Sequence, residues 1–172
     1  EACVHHLWFT SDDYEKYGAK IKWNPAIKDK KHREALRKAL LSGLIDVVAT
    51  DHAPHLLNEK NNLYELCPSG APIIQHSLLL MLELVKKNII PLHVLVQLMC
   101  HNPAKLFQIH KRGFIRKGYY ADLVLLDLEK ETQIFQHNIY SKCKWSPIEN
   151  QTLSSRVVTT IVNGHIVYNN GI

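Results

Sequence analysis

The sequence lacks any hydrophobic run long enough to cross a bilayer, its longest nearly apolar stretch, Leu78 to Val85, falling well short of the roughly 18 to 20 residues of a spanning helix. No transmembrane helix is expected. Cysteine is scarce and dispersed: Cys3, Cys67, Cys100 and Cys143 form no Cys-x-x-Cys pair, which argues against a zinc ribbon and against a dense disulfide framework. A reducing cytoplasm fits that usage best. Glycine and proline are sparse, 7 of each in 172 residues, so the chain is neither collagenous nor low in complexity. It shows no internal repeat. Glu1-Ala2-Cys3-Val4 offers neither an initiator Met nor a basic-then-apolar leader, so nothing there addresses the chain to export, and it reads as the tail of a longer polypeptide. Concentrated positive charge is missing too. The formal charge of +5 is spread among acids, and the densest cluster, Lys28, Lys30, Lys31 and Arg33, runs directly into Glu34. That pattern reads as a solvated helix start, so neither nucleic acid nor membrane is expected as a partner.

With 46% hydrophobic and 22% charged residues the chain has enough apolar surface to bury a core, as one domain or one domain with an appendage. Val4, Leu7 and Phe9 alternate enough to predict a strand over residues 1 to 9, ending near His5 and His6. Asp29 is a plausible N-cap, Ala35, Leu36, Ala39 and Leu40 recur at helical spacing, and Gly43 stands where a helix would stop, which predicts a helix over about 30 to 42. The β-branched run Leu44 to Thr50 reads as a strand covered on both faces, as in a parallel sheet. A long polar connection from Asp51 to Pro72 follows. Helices are predicted from about Pro72 to Lys87, from Pro91 to Met99, and from Asn102 to Phe107. Beyond residue 111 the pattern turns to strands: Ala121 to Asp127, then Val157 to Val162 and His165 to Tyr168 joined by Asn163-Gly164, a type I′ hairpin signature.

Chemistry concentrates at Asp51-His52-Ala53-Pro54-His55, placed after an apolar strand where α/β folds carry their catalytic groups. A carboxylate fixed there can ligate a divalent metal through one oxygen and exchange a proton with water through the other. Asp51 as a simple turn cap beside two solvated histidines is the competing reading, although Pro54 makes a helix cap less apt. Three further features compete for the same mouth. Asn24, before Pro25, is a turn residue or an amide donor to a carboxylate or carbonyl. Ser69-Gly70 is a plain turn or a place where backbone N–H groups approach a flat ligand. His5 and His6 read as packed or solvated residues before ligands. The other histidines, His32, His76, His93, His101, His110, His137 and His165, read as surface or packing residues, as do Trp23 and Trp145.

Val48-Ala49-Thr50-Asp51-His52-Ala53-Pro54-His55, preceded by Val4-His5-His6-Leu7 and by Lys22-Trp23-Asn24-Pro25-Ala26-Ile27, resembles the C-terminal third of the dihydroorotases of the amidohydrolase superfamily. The likeness continues through Pro68-Ser69-Gly70, the stretch Arg112 to Val124 and the closing Val162-Asn163-Gly164. It implies an α/β fold: the C-terminal part of a TIM-type (β/α)8 metal-dependent hydrolase barrel over 1–110, with strands seven and eight, followed over 111–172 by a β-rich return to a small β-sandwich. It also implies roles. Asp51 resembles the strand-eight aspartate that binds one of two zinc ions and serves as general base and then acid. Asn24 and His55 resemble groups that hold the substrate carboxylate, and Pro68, Ser69 and Gly70 the backbone segment that meets the pyrimidine ring. His6 falls on the seventh strand, not as a principal ligand, and Arg116 and Asp122 look structural. The remaining zinc ligands of such enzymes, including a His-x-His pair, lie upstream of anything in this sequence, and a whole barrel needs about 250 residues. The resemblance therefore implies a fragment, inactive alone, of a cytoplasmic enzyme of pyrimidine synthesis that interconverts dihydroorotate and N-carbamoyl-aspartate; a homodimer is left open. Two rivals stand beside it: a hydantoinase or allantoinase acting on other rings, and a non-catalytic amidohydrolase-like scaffold subunit.

Overall fold

The computed structural model describes residues 1–170. Two parallel strands start the fold, β1 (Ala2–Cys3) beside β2 (Val48–Ala49), with Ala2 opposite Val48 and Cys3 opposite Ala49. Parallel neighbours need a crossover, and here it runs through α1 (Val4–Trp8), a 3₁₀ turn, α2 (Tyr14–Tyr17), a second 3₁₀ turn and α3 (Lys30–Leu41). Asp29 caps α3: its carboxylate accepts from the His32 backbone N–H at 3.3 Å and contacts the His32 ring at 2.7 Å. At the other end Leu44 N–H reaches Ala39 O and Gly43 N–H reaches Leu40 O, the paired bonds of a Schellman stop. Arg33 and Arg37 reach back to the Trp8 and Leu7 carbonyls at the end of α1, fastening α3 to it.

Both strands are shorter than the sequence pattern predicts. After Cys3 the chain coils at once into α1, closed by Phe9 N–H on His5 O at 2.9 Å, so β2 finds only two ladder partners. His5 and His6 therefore lie on a helix, not on the strand. Of the run expected to be covered on both faces, Val47 and Val48 are buried but Leu44 is 80% exposed.

The connection after β2 carries α4 (Leu57–Lys60) and returns through a single parallel bridge between His52 and Ala71. The helix expected from Pro72 starts later, as a 3₁₀ turn at Ile74–His76 running into α5 (Ser77–Lys86). The reason is a contact distant in sequence: His52 Nδ1 takes the N–H groups of Ile73 and Ile74, at 3.2 and 3.3 Å. The next two helices are α6 (Leu92–Val96) and α7 (Asn102–Leu106), joined without a break by a π turn at Gln97–His101. Pro103 has no N–H to give, and its ring crowds the carbonyl four residues back, which accounts for the widened turn.

The remaining strands are β3 (Leu123–Asp127), β4 (Thr132–Gln133), β5 (Thr152–Leu153), β6 (Arg156–Val162) and β7 (His165–Asn169). They form a three-stranded antiparallel sheet ordered β3-β6-β7 and a separate β4-β5 pair. The β6-β7 turn is the expected one, with φ of +53° at Asn163 and +81° at Gly164, both left-handed as type I′ requires. Ile134, Ile139, Trp145, Ile148 and Leu153 join Leu7, Phe9, Ile21, Trp23, Ile73 and α5 in one hydrophobic cluster. The 132–153 segment thus seals the core on which β1 and β2 rest.

Candidate active site

Asp51 follows β2 directly. Its φ of +45° is left-handed, a conformation that aspartate tolerates better than most residues, and it turns the chain sharply out of the strand. Asp51 is exposed, and no hydrogen bond reaches its carboxylate from any described residue. Its charge is felt by Cys3 at the end of the neighbouring strand: burial first, and the Asp51 carboxylate second, push the Cys3 thiol up to about 11. A free oxygen donor held at a strand end by strong local geometry is a fitting zinc ligand, so the residue that the sequence nominates for metal is chemically suited to it.

His52 faces the opposite task. Two backbone N–H groups converge on its Nδ1, so that nitrogen carries no proton, and burial lowers its pKa below the ordinary value, favouring the neutral ring. With Pro72, Ile74, Gln75, His76 and Tyr140 it lines a mostly apolar cavity of about 180 Å³.

The other nominated residues are drawn together by a short chain of bonds. His55 is half-buried and its Nε2–H donates to the Ser69 carbonyl at 3.0 Å, while its own carbonyl accepts from Trp145 Nε1 at 2.8 Å. Gly70 N–H donates to the Lys22 carbonyl at 2.8 Å, which joins the Pro68-Ser69-Gly70 turn to the loop carrying Asn24. Asn24 itself is exposed and precedes a cis peptide at Pro25, whose carbonyl accepts from His6 Nε2 at 2.9 Å. Asn24, His55 and the Pro68–Gly70 turn thus lie on mutually bonded segments that leave from the C-terminal ends of β1 and β2.

Gly70 is used within the fold itself. Its N–H is committed to Lys22 and does not await a ligand. At φ +110°, a Cβ placed there would collide with the Ala53 side chain. The glycine is required for close packing of the turn on the Asp51–His55 segment, and Ser69, exposed, is the member of the turn open to solvent.

His5 is fully buried and stacks on Trp23 with centroids 4.1 Å apart and planes at 3°. Burial, and then the neighbouring His6, drive its pKa down to about 3. Neither of its ring nitrogens makes a well-formed hydrogen bond, although the Thr50 backbone lies close by. Of the packed and solvated alternatives that the sequence leaves open, it is packed. Cys3, His5 and His6 present ligand atoms within 4.8 Å of one another, a grouping that inspection of the sequence did not single out.

Two further residues escaped the sequence. Trp145, read only as packing, is also a donor to His55. Lys60 ends α4 with 2% exposure and donates from Nζ to Pro68 O and Gly70 O, each at 2.8 Å, and to Lys22 O at 3.5 Å. A lone lysine in a polar stretch carries no periodic signal; only the folded loop brings those three carbonyls around it.

Residues 2–167 match the amidohydrolase family. The chain belongs to the amidohydrolase family. Among curated proteins, the dihydroorotase of Endomicrobium trichonymphae is 36% identical over 169 residues, covering 98% of this chain and 40% of that protein. The dihydroorotase of Clostridioides difficile (strain 630) is 38% identical over 170 residues, again 98% of this chain and 40% of that protein. Among solved structures, L-hydantoinase (dihydropyrimidinase) from Arthrobacter aurescens superposes with a TM-score of 0.93 at 32% identity, covering 98% of this chain and 39% of that one. A D-hydantoinase gives 0.89 at 29% identity, with 97% and 38% covered. The chain therefore spans about 40% of the length of the relatives it matches, and its α/β structure is a part of the TIM-barrel amidohydrolase fold. No described helix is long and apolar enough to cross a membrane.

Proposed function

We propose that this amidohydrolase chain is the C-terminal part of a dihydroorotase, a hydrolase of cyclic amides. Residues 1–110 would supply strands seven and eight of the barrel with their helices, and 111–172 the return to a small β-sandwich. Val124, Leu125, Ile166 and Val167 are exposed on the β3-β6-β7 sheet, apolar surface of the kind a second sheet covers. The observation that carries the functional reading is Asp51, an exposed carboxylate with no hydrogen-bond partner among the described residues, at the start of the segment that ends in His55 and is bonded through Ser69 and Gly70 to the loop of Asn24.

In the reaction, water adds to the ring carbonyl, the ring C–N bond breaks, and the leaving nitrogen takes a proton. Asp51 accepts the proton of the attacking water on a carboxylate oxygen and delivers it to that nitrogen. Asn24, through its amide, and His55, through its imidazole, hold the substrate carboxylate, and the Pro68-Ser69-Gly70 turn lies against the ring. Zinc, held in part by Asp51 and otherwise by ligands outside this chain, two ions in the whole enzyme, supplies Lewis-acid activation of the water and the carbonyl. The partner is then a small anionic molecule, dihydroorotate or N-carbamoyl-aspartate, in a cytoplasmic pyrimidine-forming enzyme.

The TM-score of 0.93 to an L-hydantoinase supports a second reading, a cyclic amidohydrolase for rings without the carboxylate. Steady-state rates of the full-length protein on dihydroorotate and on hydantoin separate the two. The dihydroorotase reading expects kcat/KM to favour dihydroorotate on the order of a hundredfold or more, with activity lost on chelation and restored by zinc. The reverse preference would make it a hydantoinase, and inactivity on both would leave a scaffold subunit.

A further inference from the structure

We propose that Lys60 is a positioning residue for substrate binding: its buried ammonium clamps the Pro68–Gly70 turn to the Lys22–Asn24 loop, fixing the distance between the two segments that receive the ring. The inference rests on the dihydroorotase reading and adds a residue to it.

Lys60 is an expensive choice for mere filling. A buried ammonium loses its hydration, and burial accordingly lowers its pKa. Among the described ion pairs none involves Lys60, so no carboxylate neutralises it. Instead its three N–H donors meet three carbonyls, those of Pro68, Gly70 and Lys22. The acceptors belong to two separate segments, and Lys22 O also takes the Gly70 N–H at 2.8 Å, so one carbonyl is shared by the clamp and by the direct link between loops. The backbone of Lys60 is held in turn, since Cys67 Sγ donates to its carbonyl at 3.6 Å. The carbonyls that Lys60 takes thus belong to residues flanking the exposed Ser69 and to Lys22, two positions before the exposed Asn24. A methionine would fill the same space and donate nothing, leaving the Gly70 carbonyl unpaired and the Gly70 N–H to Lys22 O bond to join the two segments without the clamp.

The test is steady-state kinetics of the full-length zinc-loaded protein with dihydroorotate, comparing wild type with Lys60→Met and Lys60→Gln, alongside thermal unfolding of each. A clamp that seats the ring predicts that Lys60→Met raises KM about tenfold or more while kcat stays within about threefold. Lys60→Gln, uncharged yet able to donate to two carbonyls, should recover part of that loss, and KM should not follow the unfolding midpoint across the three proteins. An unchanged KM in a folded Lys60→Met protein would overturn the inference. So would kcat and KM drifting together with the midpoint, or failure of both variants to fold, because Lys60 would then serve folding alone. A wild type inactive on dihydroorotate would bring down the dihydroorotase reading and this inference with it; an active wild type with an indifferent Lys60→Met variant would bring down only the clamp.

Discussion

The Nε2–H of His55 donates to the carbonyl of Ser69 across 3.0 Å, tying the end of the Asp51–His55 segment to the Pro68–Gly70 turn. With Nε2–H committed, Nδ1 is the ring nitrogen left, and it can donate to a carboxylate only in a ring that carries N–H at both positions. Replacing His55 with Ala should raise KM for dihydroorotate about tenfold or more with a smaller effect on kcat, because an interaction shared by ground and transition states is lost. Steady-state kinetics of the full-length variant reads this directly, and a kcat effect with unchanged KM would assign His55 a different role.

Trp145 holds His55 from behind, donating from Nε1 to its carbonyl at 2.8 Å while sitting in the core. Trp145→Phe keeps most of the apolar contact and removes the donor, so it should cost about 1 to 3 kcal/mol, the penalty of leaving a partly buried carbonyl unpaired. Denaturant unfolding measures it. An unchanged midpoint would show that water replaces the indole at no cost.

Gly70→Ala meets two obstacles at once, a left-handed φ and the Ala53 side chain where the new Cβ would stand. Overpacking with backbone strain should destabilise by about 1 to 3 kcal/mol or more and should lower kcat/KM by displacing the turn. A stable, fully active variant would contradict the packing described for this turn.

Acid should weaken the fold through His76. It is buried, its Nδ1 lies 3.2 Å from Ser146 Oγ, and Ile148 N–H reaches that same oxygen at 3.4 Å. Burial lowers its pKa from the ordinary 6.5 to about 4. The unfolded chain thus binds a proton below 6.5 that the folded chain refuses until about 4, and stability falls with falling pH across that window, by up to about 1.4 kcal/mol per pH unit. His76→Gln should flatten this part of the profile, measured as unfolding free energy against pH; an unchanged slope would show that His76 does not carry it.

Legibility followed range. The α3 boundaries were readable because Asp29 and Gly43 act within one turn of their own positions, and the β6-β7 hairpin because Asn163-Gly164 encodes its own backbone angles. The Asp51–His55 motif was recognisable for the same reason, its residues being consecutive. What failed was non-local. The length of β1 and β2 depends on where the chain coils at Val4, and the late start of α5 on a histidine 21 residues upstream taking the Ile73 N–H. Lys60 acquires its meaning from three carbonyls on two loops, and the 132–153 segment joins the core through residues with no clear period. Gly70 was found with two readings open, since a sequence shows that a glycine is needed without showing whether ligand or neighbour requires it.

Asp51 is the residue on which the account depends, and kcat of the full-length protein carrying Asp51→Asn tests it most directly. The asparagine keeps size and loses proton exchange, so kcat on dihydroorotate should fall by about a thousandfold or more with the fold intact. Turnover within a few-fold of wild type would contradict the assignment of Asp51 as the proton-transferring group.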